Sequence, residues 1–192
     1  MAYATYTTEA LVCGSKDSYT SDRSYLLFTK EAGMLWATAR SVREEKSKQR
    51  HALQDFSFVR VSLVKGKTGW RIGSVEALGN PFLQASSRQE RAHVNFVVTQ
   101  LRRYIHGEHT LPETYEDVQA VLTSPVLIAR QQVCESIFLL RLLYVLGYVA
   151  KKETFSSLIE SEDIATALSL YTEAHAGEIE KVTLSAGEIS HL

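Results

Sequence analysis

Five cations, Arg40, Arg43, Lys46, Lys48 and Arg50, fall within eleven residues of this chain. Guanidinium and ammonium groups at that density neutralise phosphates, which gives sequence-independent, salt-sensitive attraction to a nucleic-acid backbone. Aromatic side chains flank the run, Trp36 before it and Phe56 and Phe58 after it. The alternation of their segments puts Trp36 and Phe58 on outward sides, where unpaired bases could stack for roughly 1–3 kcal/mol each. Arg60 shares the outward side with Phe58. The competing readings are that Trp36 and Phe56 close the ends of a core, and that the basic run is a solvated loop. Glu44 and Glu45 interrupt the positive charge.

A second candidate lies far along the chain. Ile137–Ala150 is strongly apolar with Arg141 inside it. Such an arginine either snorkels or pairs internally, or it receives an acidic, carboxylate-ended peptide beside Leu139, Leu142 and Tyr144. Other chemistries fail on spacing. Gly66-Lys67-Thr68 echoes the end of a phosphate-binding loop, but Val61 stands where the first glycine is required. His106, Glu108 and His109 lack a fourth metal ligand. No nucleophile elbow, His-Glu-x-x-His or paired-carboxylate constellation occurs. Catalysis, a bound metal and a cofactor are therefore not expected.

These residues need elements to position them. Ala10–Cys13, Tyr25–Thr29, Leu35–Arg40, Phe58–Val64 and Trp70–Glu76 read as short strands, with turns at Gly14–Asp22, Lys30–Gly33 and Lys65–Gly69. Leu35, Ala37 and Ala39 share one side of their strand, and Val59, Val61 and Leu63 one side of theirs. Five strands at this spacing fit a small closed barrel such as an OB-fold, and an SH3-like barrel equally. Gly79-Asn80-Pro81 ends that pattern. A helix capped by Ser86 or Ser87 follows, with an apolar stripe from Val94 to Ile105. A shorter helix over Glu113–Leu122, a long one from Ser124-Pro125 to about Leu146, and short helices over Thr154–Ile159, Ser161–His175 and Glu178–His191 complete the expectation. The predicted class is α+β with two domains: a five-stranded barrel over residues 1–80 and an all-α domain over 81–192.

Charge follows the same division. The first 80 residues carry net +4 and the remainder net −5, with +6 concentrated in Arg40–Arg71 and −7 after Lys152. A basic N-terminal face and an acidic C-terminal end fit a nucleic-acid partner for the barrel. Cys13 and Cys134 form no Cys-x-x-Cys pair, so both are expected as reduced, buried thiols of an intracellular protein. No signal peptide is visible, and the apolar run around Arg141 is shorter than the roughly 20 residues a membrane span needs.

Several segments carry a resemblance. Glu9-Ala-Leu-Val12, Asp22 and Leu27-Phe-Thr-Lys-Glu-Ala-Gly33 precede Ala37-Thr-Ala-Arg-Ser-Val-Arg43, Lys46-Ser-Lys48 and Leu53-Gln-Asp-Phe-Ser57. Their order and spacing resemble the opening of the RecO family of recombination mediators. Ser41 stands where that family usually has glycine, and Asp55 where it usually has proline. Phe138-Leu-Leu-Arg-Leu-Leu143 with Leu146-Gly-Tyr148 resembles a helix of the RecO helical domain. The four-cysteine zinc module of many RecO proteins has no counterpart, since no cysteine follows Cys134.

The resemblance implies a short, zinc-free member whose OB-fold binds single- and double-stranded DNA through Arg40, Arg43, Lys46, Lys48, Arg50, Arg60, Trp36 and Phe58. It further implies strand annealing and recombinase loading onto single-stranded DNA coated by single-strand binding protein. The expected partners are the C-terminal tail of that protein, received near Arg141, and a RecR-like protein. The expected location is the cytoplasm, at the nucleoid. The alternatives are an interaction adaptor with little DNA affinity and a generic RNA-binding OB protein.

Overall fold

The computed structural model describes residues 5–18 and 20–189, with side chains described through residue 187. The chain divides into two compact units, Met1–Arg91 with Ile105–Pro112, and Ala92–Tyr104 with Glu113–Leu192.

The first unit is built on β1 (Thr5–Asp17), β2 (Arg23–Thr29), β3 (Gly33–Ala39), β4 (Phe58–Gly66) and β5 (Gly69–Gly79), with a one-turn helix α1 (Gln49–Ala52) between β3 and β4. The strands close in the order β1-β2-β3-β5-β4, and β4 returns to pair with β1. This closure is the OB-fold order, and it excludes the SH3-like alternative. All pairs are antiparallel except β3 with β5, which meet in parallel at Ala37↔Trp70 and Thr38↔Arg71. The interior takes one residue in two from each strand: Ala10 and Val12, Tyr25 and Leu27, Leu35 and Ala37, Val59, Val61 and Leu63, and Ile72. Val42 and Leu53 reach into the same core from the segment between β3 and β4, which pins that basic segment at both ends.

β1 runs to Asp17, through the start of the turn expected at Gly14. Its register slips between Val12 and Gly14, a bulge at a glycine. The bend lets one strand serve two neighbours, β4 along Thr5–Leu11 and β2 along Ala10–Asp17. At the β2–β3 turn, Gly33 takes φ +67°, and a Cβ there would lie 2.1 Å from the carbonyl oxygen of His109. Only glycine fits.

After the barrel, Asn80 caps the short α2 (Pro81–Gln84) by accepting from the Leu83 amide. The helices that follow are α3 (Arg88–Tyr104), α4 (Pro112–Thr123), α5 (Pro125–Ile128), α6 (Gln131–Val145), a 3-10 turn at Glu153–Phe155, α7 (Ser156–Glu160), α8 (Ile164–Leu170) and α9 (Glu173–Ile189), and all but the first residues of α3 and α4 form the second, helical unit. Ser87 Oγ accepts the Glu90 amide at the start of α3, and the Glu90 carboxylate reaches back to the amide and hydroxyl of Ser86.

The single helix expected from Ser124 to about Leu146 is two, because Arg130 leaves helical geometry at φ −118°, ψ 36°. The break is held by Cys134 Sγ donating to the Leu127 carbonyl and by Arg130 reaching the carbonyl of Leu168. The helix expected over Ser161–His175 likewise divides: Asp163 caps α8, and Tyr171 turns extended before α9 begins. The expected end of the last helix, His191, lies outside the described residues. Gly147 closes α6 at φ +79°, and the Tyr148 amide bonds back to the Leu143 carbonyl at 2.8 Å. That bond pattern is a Schellman end, for which glycine is the favoured residue.

Candidate nucleic-acid interface

β3 turns Trp36 and Thr38 away from the barrel core, as its alternation predicts, and Arg40 follows exposed just past the end of the strand. Because β5 lies parallel to β3, Arg71 comes beside Thr38, and its outward side follows from the burial of neighbouring Ile72. The end of β1 adds Lys16, whose Nζ sits 4.1 Å from the centre of the Trp36 ring. Together with Ser18, Asp22, Ser24, Thr68, Gly69 and Trp70, these residues line an open groove of about 480 Å³. The β2–β3 face with the β1–β2 and β4–β5 loops is where OB-folds take oligonucleotides.

The groove is basic. Lys16, Arg40 and Arg71 face the single carboxylate of Asp22, and that carboxylate is already engaged, accepting from the Ser41 amide at 2.9 Å. Trp36 is 42% exposed, which leaves ring surface open to solvent. Trp70 is half-buried against the core, and its indole N–H donates to Glu108 at 2.9 Å. Hydrogen bonds from Trp70 and Lys65 hold the Glu108 carboxyl below the ordinary glutamate range.

The residues expected from sequence separate into groups. Trp36 and Arg40 lie in the groove. Arg43 is exposed at the start of the basic loop and pairs at 3.4 Å with Asp17, which also binds Arg23. Lys46, Lys48 and Arg50 are exposed, stand outside the groove lining, and have no ion pair recorded among the described residues. Arg60 lies between Glu9 and Glu76, at 3.1 and 3.2 Å, so its charge is compensated.

Phe58 is a correction. It points off the barrel core as expected, yet it is 4% exposed, opposite its equally buried cross-strand partner Leu11. A two-residue period tells which side a residue takes, not whether that side is wet. Phe58 therefore offers no face to a base. Phe56 stacks on Phe82 with ring centres 4.8 Å apart.

Arg141 is the second correction. Its guanidinium donates to Asp117 Oδ2 at 2.7 Å, to the carbonyls of Leu158 and Ser161 at 3.0 Å each, and to Ser161 Oγ at 3.1 Å. At 7% exposure with these partners it is an internal tie between α6, α4 and the end of α7. Burial raises the Asp117 carboxyl despite the opposing pull of Arg141. Arg141, Leu142 and Tyr144 do border one cavity, of only about 70 Å³, and Leu139 stands outside its lining. Each of these hydrogen bonds from the Arg141 guanidinium runs to a group of the helical unit itself.

Sequence reasoning passed over Lys16, Trp70 and Arg71. Arg71 was legible as an outward residue of its strand, but its place beside Thr38 depends on which strands are neighbours. Lys16 fell in an expected turn. Cys134 is fully buried, and burial pushes its thiol up to about 11, the opposite of an activated nucleophile. Among the described residues no group of three or more His, Cys, Asp or Glu could hold a metal. No helix among them is long and apolar enough to cross a membrane.

The architecture is that of an OB-fold barrel, with a basic groove carrying an exposed indole, followed in the chain by a helical unit. Residues 1–80 match the family model described as recombination protein O N terminal. Over this segment the chain is similar to the N-terminal part of RecO proteins. It is 41% identical over 63 residues to the DNA repair protein RecO of Desulfitobacterium hafniense, in strain DSM 10664 / DCB-2 and in strain Y51. The matched stretch is 33% of this chain and spans 23% of the length of each of these relatives.

Proposed function

We propose that this chain acts in DNA repair as a RecO-type mediator, binding single-stranded DNA in the barrel groove rather than catalysing a reaction. The observation that carries the reading is the exposed Trp36 ring with Lys16 above it and Arg40 and Arg71 lining the same groove. Cations along such a groove neutralise successive phosphates, while the indole takes a base. Lys46, Lys48 and Arg50 extend the positive surface beyond the groove, where duplex DNA or a second strand has access to them. Holding two strands while screening their repulsion would promote annealing without nucleotide hydrolysis.

Loading of a recombinase onto DNA coated by single-strand binding protein, with a RecR-like partner, completes the proposed role. Capture of the tail of single-strand binding protein does not rest on Arg141, whose donors are engaged within the helical unit. Fluorescence anisotropy of labelled oligonucleotides tests the DNA reading: affinity should fall steeply as salt rises. Absence of binding at low salt, or binding indifferent to salt, overturns it. An RNA competitor that displaces the DNA at equal or lower concentration would point instead to an RNA-binding protein.

A further inference from the structure

The groove wall beside the β4–β5 turn is held by a residue from far outside the strands. The segment Ile105–Pro112, which belongs to the barrel unit, lies along the β2–β3 hairpin. The Met34 amide donates to the Gly107 carbonyl at 3.1 Å, and Thr110 Oγ1 donates to the Glu31 carbonyl at 2.8 Å. Gly33 has room for no side chain against His109. Docked in this way, the segment presents Glu108 to β4 and β5. One carboxylate oxygen accepts from the Trp70 indole at 2.9 Å, and the other from Lys65 Nζ at 3.1 Å. Lys65 in turn lies 4.8 Å from the centre of the Trp70 ring. Trp70 lines the groove alongside Trp36.

We propose that Glu108 is a positioning residue for the nucleic-acid groove, setting the Trp70 indole and Lys65 so that the wall beside the β4–β5 turn is preformed. The proposal rests on the DNA reading of the groove. It makes binding by the barrel depend on a residue outside residues 1–80. The sign of the effect separates it from simple electrostatics. A carboxylate near a phosphate path repels the ligand, so removing it should tighten binding. Loss of a positioning contact should weaken it instead.

The chain has two tryptophans, Trp36 and Trp70. Full-length protein carrying Trp36→Phe therefore reports Trp70 alone by its emission. In that background and in the native sequence, Glu108→Ala and Glu108→Gln are titrated with fluorescein-labelled oligothymidylate, and thermal unfolding is followed in parallel. Glu108→Ala should weaken binding about fivefold, the effect of one net hydrogen bond. It should also shift Trp70 emission to the red while the unfolding midpoint holds. Glu108→Gln keeps an acceptor for the indole and should restore both affinity and emission.

Tighter binding by Glu108→Ala, or unchanged affinity and emission, overturns the proposal. So does a loss of affinity that merely tracks a lowered unfolding midpoint, or one that Glu108→Gln shares in full. If the unsubstituted protein does not bind the oligonucleotide at all, the DNA reading fails. The emission shift and its rescue then still decide whether Glu108 sets Trp70.

Discussion

Arg40 and Arg141 carry the same guanidinium and have opposite fates. Arg40, just past the end of β3, lines an open groove and makes no ion pair among the described residues. Arg141 is enclosed by Asp117 and the carbonyls that end α7. A charge is available to a ligand only where the fold has supplied no acceptor for it. Arg40 stands out in the sequence as one of a run of cations and Arg141 as a cation among apolar neighbours, and only their surroundings in the fold separate a candidate binding residue from a structural one.

The largest test of this contrast is at Arg141. Arg141→Ala leaves the Asp117 carboxylate buried without its partner and should destabilise the chain by about 3–5 kcal/mol in urea unfolding. Arg141→Met combined with Asp117→Leu should recover most of that loss, since replacing both charges removes the desolvation cost as well as the attraction. Unchanged stability in Arg141→Ala would break the contrast and reopen Arg141 as a ligand residue.

In the groove the effects should fall on binding and leave stability intact. Trp36→Ala should cost about 1–3 kcal/mol of oligonucleotide affinity, the range for one stacked base, with an unaltered unfolding midpoint. If the midpoint drops while affinity holds, the indole is a lid on the core. Next comes the salt dependence. Arg40→Ala and Arg71→Ala should each flatten the slope of log affinity against log salt by roughly 0.7, the value for one phosphate contact on a single strand. Arg60→Ala should leave that slope unchanged, because Glu9 and Glu76 already neutralise it.

The smallest effect is at the foot of the basic loop. Ser41 holds φ +50° with its amide on Asp22, in the left-handed region that disfavours side chains. Ser41→Gly should raise stability by about 0.5–1 kcal/mol, the conformational gain being reduced by the freer unfolded chain. Thermal unfolding is sufficient to read it. A loss of stability would show that the serine hydroxyl, not the backbone, matters there.

Much of this was legible in the sequence, and the limits have physical causes. All five strands were readable, as were a serine cap at 86 or 87, the inward set Val59, Val61 and Leu63, and the outward set Trp36, Thr38 and Arg40. Each follows from a two-residue period, a turn glycine or a capping side chain acting over a few residues. The breaks at Arg130 and Tyr171 were not readable, because tertiary contacts such as Arg130 to the Leu168 carbonyl hold them. Phe58 shows the same limit on a strand, where the side was predictable and its cover was not.

By itself, then, the sequence determined an α+β chain, a barrel followed by helices, a basic N-terminal segment, and motifs that resemble the opening of RecO proteins. Tertiary structure alone decided which cations are free. Closure of the barrel placed Arg71 beside Thr38 and Lys16 over Trp36. It surrounded Arg60 with carboxylates, and the helical packing sealed Arg141 against Asp117. Those outcomes depend on neighbours tens of residues away, and local periodicity holds no record of them.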